Sequence, residues 1–340
     1  MPDTNDCAPD GSVCSKLGRV YNVSQDNVRI GIVTPSYNQA HFLEQTIDSV
    51  LSQGYPHLEY VVIDGGSTDG SVDIIRRYEK YLTFWKSERD SGQSEAINKG
   101  LRALNSDVWA YLNSDDVYLP GTLSKVAAEF KDSSVLWVTG GAHYVDESGV
   151  SLRRLTPVRD WKIEEVLERI IYQPVIMAVQ VSNFMRSTIL QKFGYFDESL
   201  HYCMDVDYGL RLLLEGIRPR LIDDVLAHAR LHSASKTMNQ AETNAFARET
   251  AHVLEHRCKR EMLSVSQRKA ISKALLEYRK QSALDVVRQS WINDGRRSGL
   301  HSLLAAVAEV PNLVLHRPAL GLFRRIIIGK AFTNSKTPSG

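Results

Sequence analysis

The chain has 340 residues, 41 basic and 40 acidic side chains, 43% hydrophobic content and a formal net charge of +1. That is long enough for a large core and too evenly balanced for a protein that binds nucleic acid through bulk charge. No run reaches the roughly 18 to 20 apolar residues of a membrane span, residues 1–27 lack a signal peptide's apolar stretch, and the expected address is the cytoplasm.

Residues 1–27 are rich in Asp, Asn, Ser and Gly and are expected to form a flexible leader. Residues 28–33 read as a buried strand. Residues 40–52 place Phe42, Ile47, Val50 and Leu51 on one helix face. The alternation continues with a strand over 58–63, a Gly-rich turn over 64–70, a helix over 71–81, a strand over 82–87, a helix over 94–104 and a strand over 108–113. Repeated βα units of this kind predict an α/β protein, with a mainly parallel central sheet flanked by helices.

The second half is less regular: a strand near 134–140, a helix near 163–169, a segment over 180–185 and a helix beginning near Asp205. Beyond about residue 240 the pattern is mostly helical with long polar faces, which puts a boundary there between residues 28–240 and a helical region over 241–340. The last thirty residues hold Arg317, Arg324, Arg325, Lys330 and Lys336 and no acid. The favoured reading is a helix packed on its own protein or on a partner chain with its basic residues solvated. The alternative is an interfacial helix in peripheral contact with anionic lipid. The four cysteines, Cys7, Cys14, Cys203 and Cys258, form no Cys-x-x-Cys pair and read as reduced thiols.

In open α/β sheets ligands sit beyond the carboxyl ends of the strands, which directs attention to four polar loops. They read Thr34-Pro35-Ser36-Tyr37-Asn38, then Asp64-Gly65-Gly66-Ser67-Thr68-Asp69-Gly70, then Glu88-Arg89-Asp90-Ser91-Gly92-Gln93, then Asn113-Ser114-Asp115-Asp116. The first lacks the Gly-x-Gly-x-x-Gly turn of a dinucleotide site, and the second lacks the Lys and hydroxyl of a P-loop. Asp115 and Asp116 offer hard oxygen ligands for Mg2+ or Mn2+, although such a pair also serves turns and helix caps. Asp64 is read either as a ligand contact or as the start of an Asx-turn.

Taken in order and spacing, these loops resemble those of the family 2 glycosyltransferases, over residues 28–237. The resemblance implies the glycosyltransferase A fold, a nucleotide-diphosphate sugar as donor (most often a UDP-sugar), a divalent metal as cofactor and transfer with inversion. Carried over by position, Pro35, Tyr37 and Asn38 would border the nucleoside, Asp64 would bond the base, and Asp90 with Gln93 would flank base, ribose and sugar. Asp115 and Asp116 take the place of the family's Asp-x-Asp element and would hold the metal, with Asp115 also contacting ribose or sugar. Asn113 stands where many relatives have the first Asp.

Further on, Gln180-Val181-Ser182-Asn183-Phe184-Met185-Arg186 resembles a Gln-Pro-x-x-Phe-x-Arg stretch before the acceptor region, with Val181 in place of the proline. Met204-Asp205-Val206-Asp207 resembles the segment that carries the catalytic base, which makes Asp205 the matching residue; read from the residues alone, it also suits a helix N-terminal Asp held by the dipole. Gln180, Asp207 and Arg211 fall on the acceptor side, although Asp207 and Arg211 at i, i+4 also suit a pair along one helix. His232, in Arg230-Leu231-His232-Ser233-Ala234-Ser235-Lys236-Thr237, matches a His that approaches metal and diphosphate; the other reading is a packing residue. The resemblance further implies a glycan or lipid-linked acceptor at the inner membrane face, in polysaccharide biosynthesis. Two rival readings are a non-catalytic module that keeps the nucleotide-sugar pocket and a nucleotidyltransferase; the latter should carry a Gly-rich basic phosphate loop near its first strand, and this chain has none.

Overall fold

The computed structural model describes residues 28–162, 165–167, 180–233, 235, 240–259, 263–311, 313, 319–322 and 324. The expected leader over 1–27, most of the expected helix near 163–169, Lys236, Thr237, and the basic residues Arg317, Arg325, Lys330 and Lys336 lie outside the described residues.

The first half builds β1 (Ile30–Ser36), α1 (Ala40–Leu51), β2 (Leu58–Asp64), α2 (Ser71–Tyr78), β3 (Phe84–Ser87), α3 (Gln93–Ala103) and β4 (Val108–Tyr111). Every residue of β1 and β4 is buried, as a central parallel strand covered on both faces requires. Helix α1 turns Phe42, Leu43, Ile47 and Val50 inward, and α3 lies so close to β1 that a Cβ on Gly100 would collide with Val33. The chain continues through β5 (Val117–Tyr118), α4 (Thr122–Phe130), β6 (Trp137–Val145), β7 (Ser151–Leu155), β8 (Asn183–Arg186), α5 (Thr188–Phe193), α6 (Met204–Leu214) and β9 (Arg220–Arg230). It ends in α7 (Gln240–Cys258), α8 (Val265–Asp294) and α9 (Arg296–Glu309).

Among the described residues the strands form one sheet in the order β3-β2-β1-β4-β8-β6-β9-β5, with β7 beside β6. Strands β3, β2, β1 and β4 run parallel, as the repeated βα units predict. The pairs β4–β8, β6–β8 and β5–β9 are antiparallel. In this half the strand expected near 134–140 is β6 and the segment expected over 180–185 overlaps β8, whereas β5, two residues long, and β9, with Asp223 and Asp224 mid-strand, left little trace in the sequence. Arg186, the last residue of the Gln-x-x-x-Phe-x-Arg stretch, is buried and structural. Its guanidinium donates to the carbonyls of Phe130, Asp132 and Val135 at 2.9, 3.1 and 2.9 Å, closing the carboxyl end of α4.

The chain divides into two compact units, each with its own core. Unit one comprises the described parts of Met1–His143, Val181–Tyr195 and Pro219–Ala229; unit two comprises those of Tyr144–Gln180, Phe196–Arg218 and Arg230–Gly340. In unit two, α8 begins with a capping box between Ser264 and Gln267, which satisfies two of its orphan N–H groups. Leu284, Val287, Leu303, Ala306, Val310, Leu313, Ala319 and Leu322 form a buried cluster, so the end of the described chain packs within its own unit. Among the described residues no helix is long and apolar enough to cross a membrane.

Candidate functional site

In unit one, β1 has β2 on one side and β4 on the other, so the order of strands reverses at β1. A reversal of this kind opens a crevice beyond the carboxyl edge of the sheet. The predicted loops leave the strands at that edge.

Strand β1 ends with Pro35 opposite Ile63 and Ser36 opposite Asp64. Tyr37 follows with its side chain exposed. Asn38 adopts φ +52°, a left-handed conformation that Asn tolerates better than most residues. From there its N–H donates to Ser67 Oγ at 2.8 Å, and its Oδ1 accepts the Thr68 N–H at 2.9 Å. The Asp69 carboxylate accepts the N–H groups of Ala40 and Ser71 at 2.9 and 3.0 Å, tying the second loop to the start of α1.

Asp64 is fully buried at the end of β2. Its carboxylate accepts the N–H groups of Gly66 and Ser67 at 3.0 and 2.9 Å and the hydroxyls of Ser67 and Ser87 at 2.5 and 2.7 Å. Four donors on one carboxylate compensate its desolvation and fix the Gly-rich loop. The Asx-turn reading is therefore present in the geometry: Asp64 organises Ser67, which in turn receives Asn38.

Asp90 lies against this loop, because a Cβ on Gly65 would come within 2.8 Å of Asp90 Oδ2. Its Oδ1 accepts the Gly92 N–H at 3.0 Å. Burial pushes the Asp90 carboxyl above the usual range; the Gly92 N–H opposes that rise, and the neighbouring charges of Glu95 and Asp64 add to it. Gln93 Nε2 donates to Asn113 Oδ1 at 2.6 Å, and Asn113 Nδ2 donates to Asp116 Oδ2 at 3.2 Å. Asp116 is buried and Asp115 half-buried, and the Thr46 hydroxyl holds the Asp116 carbonyl at 2.8 Å. One polar chain thus links the third loop to the acidic turn.

Among the described residues no three His, Cys, Asp or Glu side chains gather into a metal-holding cluster. Two adjacent carboxylates fit Mg2+ or Mn2+ of the kind that takes one or two protein oxygens and completes its shell with phosphate and water. They do not fit an ion caged by protein alone.

In unit two, Asp205 stands in the first turn of α6, half-buried, with Oδ1 accepting the Val206 N–H at 2.8 Å. Asp207 is buried and pairs with Arg211 Nε at 3.0 Å and with Arg257 Nε at 2.9 Å; Arg257 Nη2 also bonds its Oδ1. The pairing of Asp207 and Arg211 along the helix is thus formed, with a second arginine added from α7. Arg211 lies 4.5 Å from the Tyr208 ring centroid, and burial lowers its guanidinium pKa against the pull of Asp207. Ahead of α6, Glu249 accepts the N–H groups of His201, Tyr202 and Cys203 at 2.7, 2.6 and 2.9 Å. Burial, with Glu249 beside it, pushes the Cys203 thiol far up, so Cys203 stays a neutral thiol. His232 is buried, and its carbonyl accepts both the N–H and the hydroxyl of Ser235 at 2.9 and 2.8 Å. Gln180 opens the short 3-10 turn Gln180–Ser182.

Four participants carried no assignment in the sequence. Ser67 lies in the second loop, where the Asx-turn reading of Asp64 already pointed, whereas Ser87 lies just before the third loop, 23 residues from the Asp64 it bonds, and gave no local signal. Glu249 and Arg257 lie in a helix without any motif and gave no local signal.

The strand order reverses at β1, and polar loops rich in carboxylate and amide side chains gather at that edge, which defines an open-sheet α/β protein. The sequence profile of glycosyl transferase family 2 matches residues 31–194. An uncharacterised glycosyltransferase of Nostoc sp. is 30% identical over 231 residues, covering 64% of this chain and 69% of the relative. The chain belongs to glycosyl transferase family 2. Its fold is that of S. aureus TarS residues 1–349, solved in complex with UDP-GlcNAc, at a TM-score of 0.63 and 15% identity over 90% of this chain and 93% of that one. The mannosyltransferase PcManGT of Pyrobaculum calidifontis, solved with GDP-Man and Mn2+, superposes with a TM-score of 0.56 and 18% identity over 90% of this chain and 88% of that one.

Proposed function

We propose that the protein is an inverting, metal-dependent glycosyltransferase that moves a sugar from a nucleotide-diphosphate donor, a UDP-sugar, to a hydroxyl of a glycan or lipid-linked acceptor. The observation that carries this reading is the convergence of Asn38, Asp64, Asp90, Gln93 and the Asp115–Asp116 turn at the carboxyl edge where the strand order reverses. It is supported by the nucleotide sugars bound to TarS and PcManGT and by the Mn2+ in the latter.

On this reading the exposed Tyr37 ring and Pro35 border the nucleoside. Asp64, proposed to bond the base, holds the Gly-rich loop in the shape that receives it. Asp90 and Gln93 orient ribose and sugar. Asp115 and Asp116 would hold a divalent cation; His232 belongs to unit two and is proposed for a diphosphate contact, not as a third ligand. When bound, the cation neutralises charge that develops on the departing diphosphate. Asp205 takes the proton of the acceptor hydroxyl as it attacks the anomeric carbon, making a nucleophile of a weakly acidic alcohol. One base and no covalent intermediate give a single displacement, so an α-linked donor yields a β-linked product. Gln180, Asp207 and Arg211 stand on the acceptor side. Residues 28–240 are read as the catalytic region and the described helices after residue 240, which share the second compact unit with residues 196–218, as its extension, with the basic terminus as the candidate for peripheral membrane contact.

The test is a panel of UDP- and GDP-sugars, incubated with Mn2+ or Mg2+, with nucleoside diphosphate release as readout. Release from a subset of UDP-sugars, abolished by chelator, is the expected result. No release from any sugar nucleotide, with UDP still bound, would leave the non-catalytic module as the function.

A further inference from the structure

Glu249 and Arg257 belong to no sequence motif, yet both reach from α7 onto the segment that carries Asp205. The geometry points to α7 as a clamp that sets the Asp205 carboxylate for proton transfer, with Glu249 and Arg257 as positioning residues. This deepens the proposed function and rests on the reading of Asp205 as the base.

The two side chains are eight residues apart, two turns or about 12 Å along one face of a helix. Glu249 grips the backbone just before α6: its Oε1 accepts from His201, and its Oε2 from Tyr202, Cys203 and, at 3.4 Å, the Cys203 thiol. Arg257 grips Asp207, which Arg211 holds from within α6. Asp205 therefore stands between two fixed points, residues 201–203 and residue 207. The same face of α7 buries Thr250, Val253 and Leu254, so the gripping residues are themselves held by packing. The consecutive N–H groups at 201–203 precede the helix and have no intrahelical acceptor, and the carboxylate supplies one charged acceptor for all three. Arg257 adds a planar fork that fixes direction as well as distance, which a lysine cannot reproduce. Neither residue is assigned contact with substrate; both act through the backbone before α6 and through Asp207.

The experiment uses the full chain and the sugar nucleotide and acceptor that the panel identifies. Glu249→Gln and Arg257→Lys are each made alone and in an Asp205→Asn background, with thermal melts to establish folding and exchange of the amides at 201–207 as a local readout. Each single variant should lose about tenfold to a hundredfold in kcat, the cost of a slightly misplaced reacting group. KM for the sugar nucleotide should stay within about twofold. In the Asp205→Asn background neither change should lower kcat further, because the group they position is gone. An equal loss in both backgrounds, or full kcat in a folded Arg257→Lys protein, overturns the clamp while leaving Asp205 as the base. Undiminished transfer by Asp205→Asn alone overturns the base reading, and the clamp with it. If Glu249→Gln does not fold, Arg257→Lys decides.

Discussion

The loops at the edge of unit one and the start of α6 in unit two are both built around buried carboxylates, but they are held in opposite ways. Asp64 is satisfied by neutral donors, three of the four from Gly66 and Ser67, its near neighbours in sequence. Asp207 is hydrogen-bonded on Oδ1 by Arg257, 50 residues downstream, and ion-paired on Oδ2 with Arg211, whose Nε lies 3.0 Å away without a hydrogen bond. A carboxylate met by neutral local donors forms with its own turn and needs little from the rest of the chain. One met by distant cations is fixed only when the C-terminal helices have folded, and it leaves uncompensated charge if any member is lost. The contrast suits the proposed roles: a pre-formed cradle for the nucleotide and a proton-transfer centre assembled with the whole unit.

The largest effect belongs to Asp205. Asp205→Asn keeps shape and volume but removes the ability to accept a proton, so transfer should fall by roughly 10²- to 10⁴-fold. UDP affinity, measured by calorimetry, should stay within a few-fold. Next comes Asp207→Ala, which takes the shared carboxylate from Arg211 and Arg257, both of them largely shielded from solvent. Urea denaturation should show a loss of about 3–5 kcal/mol, the cost of breaking a buried ion pair from one side. A loss below 1 kcal/mol would place Asp207 with the locally satisfied carboxylates and erase the contrast between the two centres.

Smaller changes are expected in unit one. Asp115→Ala with Asp116→Ala should abolish the difference between UDP titrations with Mn2+ and with chelator, because diphosphate beside carboxylates is repelled unless a cation bridges them. A persisting difference would move the metal elsewhere. Ser67→Ala removes a hydroxyl that donates to Asp64 and accepts from Asn38, and should cost about 1–3 kcal/mol. UDP affinity should fall with it, since Asn38 loses the anchor for its left-handed bend.

How far each centre was legible follows from the same contrast. The parallel half of the sheet and its loops were readable because β1 to β4 carry local periodicity and because the polar residues that shape each loop lie within or next to it. Element ends moved by a few residues: the strand expected over 82–87 begins at Phe84, and the helix expected over 71–81 finishes as a 3-10 turn. Strand β9 was missed because its burial follows cross-strand partners while its sequence, with two adjacent aspartates, reads as loop. The start of α6 was placed to within one residue, yet its supports were invisible. Glu249 and Arg257 look like any charged pair on a long polar helix, and only the fold shows that they face inward. Local motifs thus reveal groups that touch a ligand sooner than groups that hold those groups in place.

The smallest predicted effect tests whether Asp90 is kept for function at a cost to the fold. Burial raises its carboxyl above the usual range, so the folded protein holds that proton more tightly than the unfolded chain. The stability this group contributes is present at acid pH and is lost as pH rises through its folded-state pKa. Asp90→Asn removes the buried charge while leaving an oxygen to accept the Gly92 N–H. The variant should therefore be slightly more stable than the parent at pH 7, by about 0.5 kcal/mol or less because the side chain is only partly buried. That advantage should shrink as pH falls below the carboxylate range, where the parent is protonated as well. Donor affinity should move the other way and weaken, as expected when a strained group is retained for binding. Thermal melts at pH 7 and pH 3.5, paired with calorimetric titration of UDP, read both signs. A more stable variant with unchanged UDP affinity would take Asp90 out of the nucleotide site and leave it as a loop residue, like Asp69, whose hydrogen bonds hold the backbone of its own loop and the start of α1.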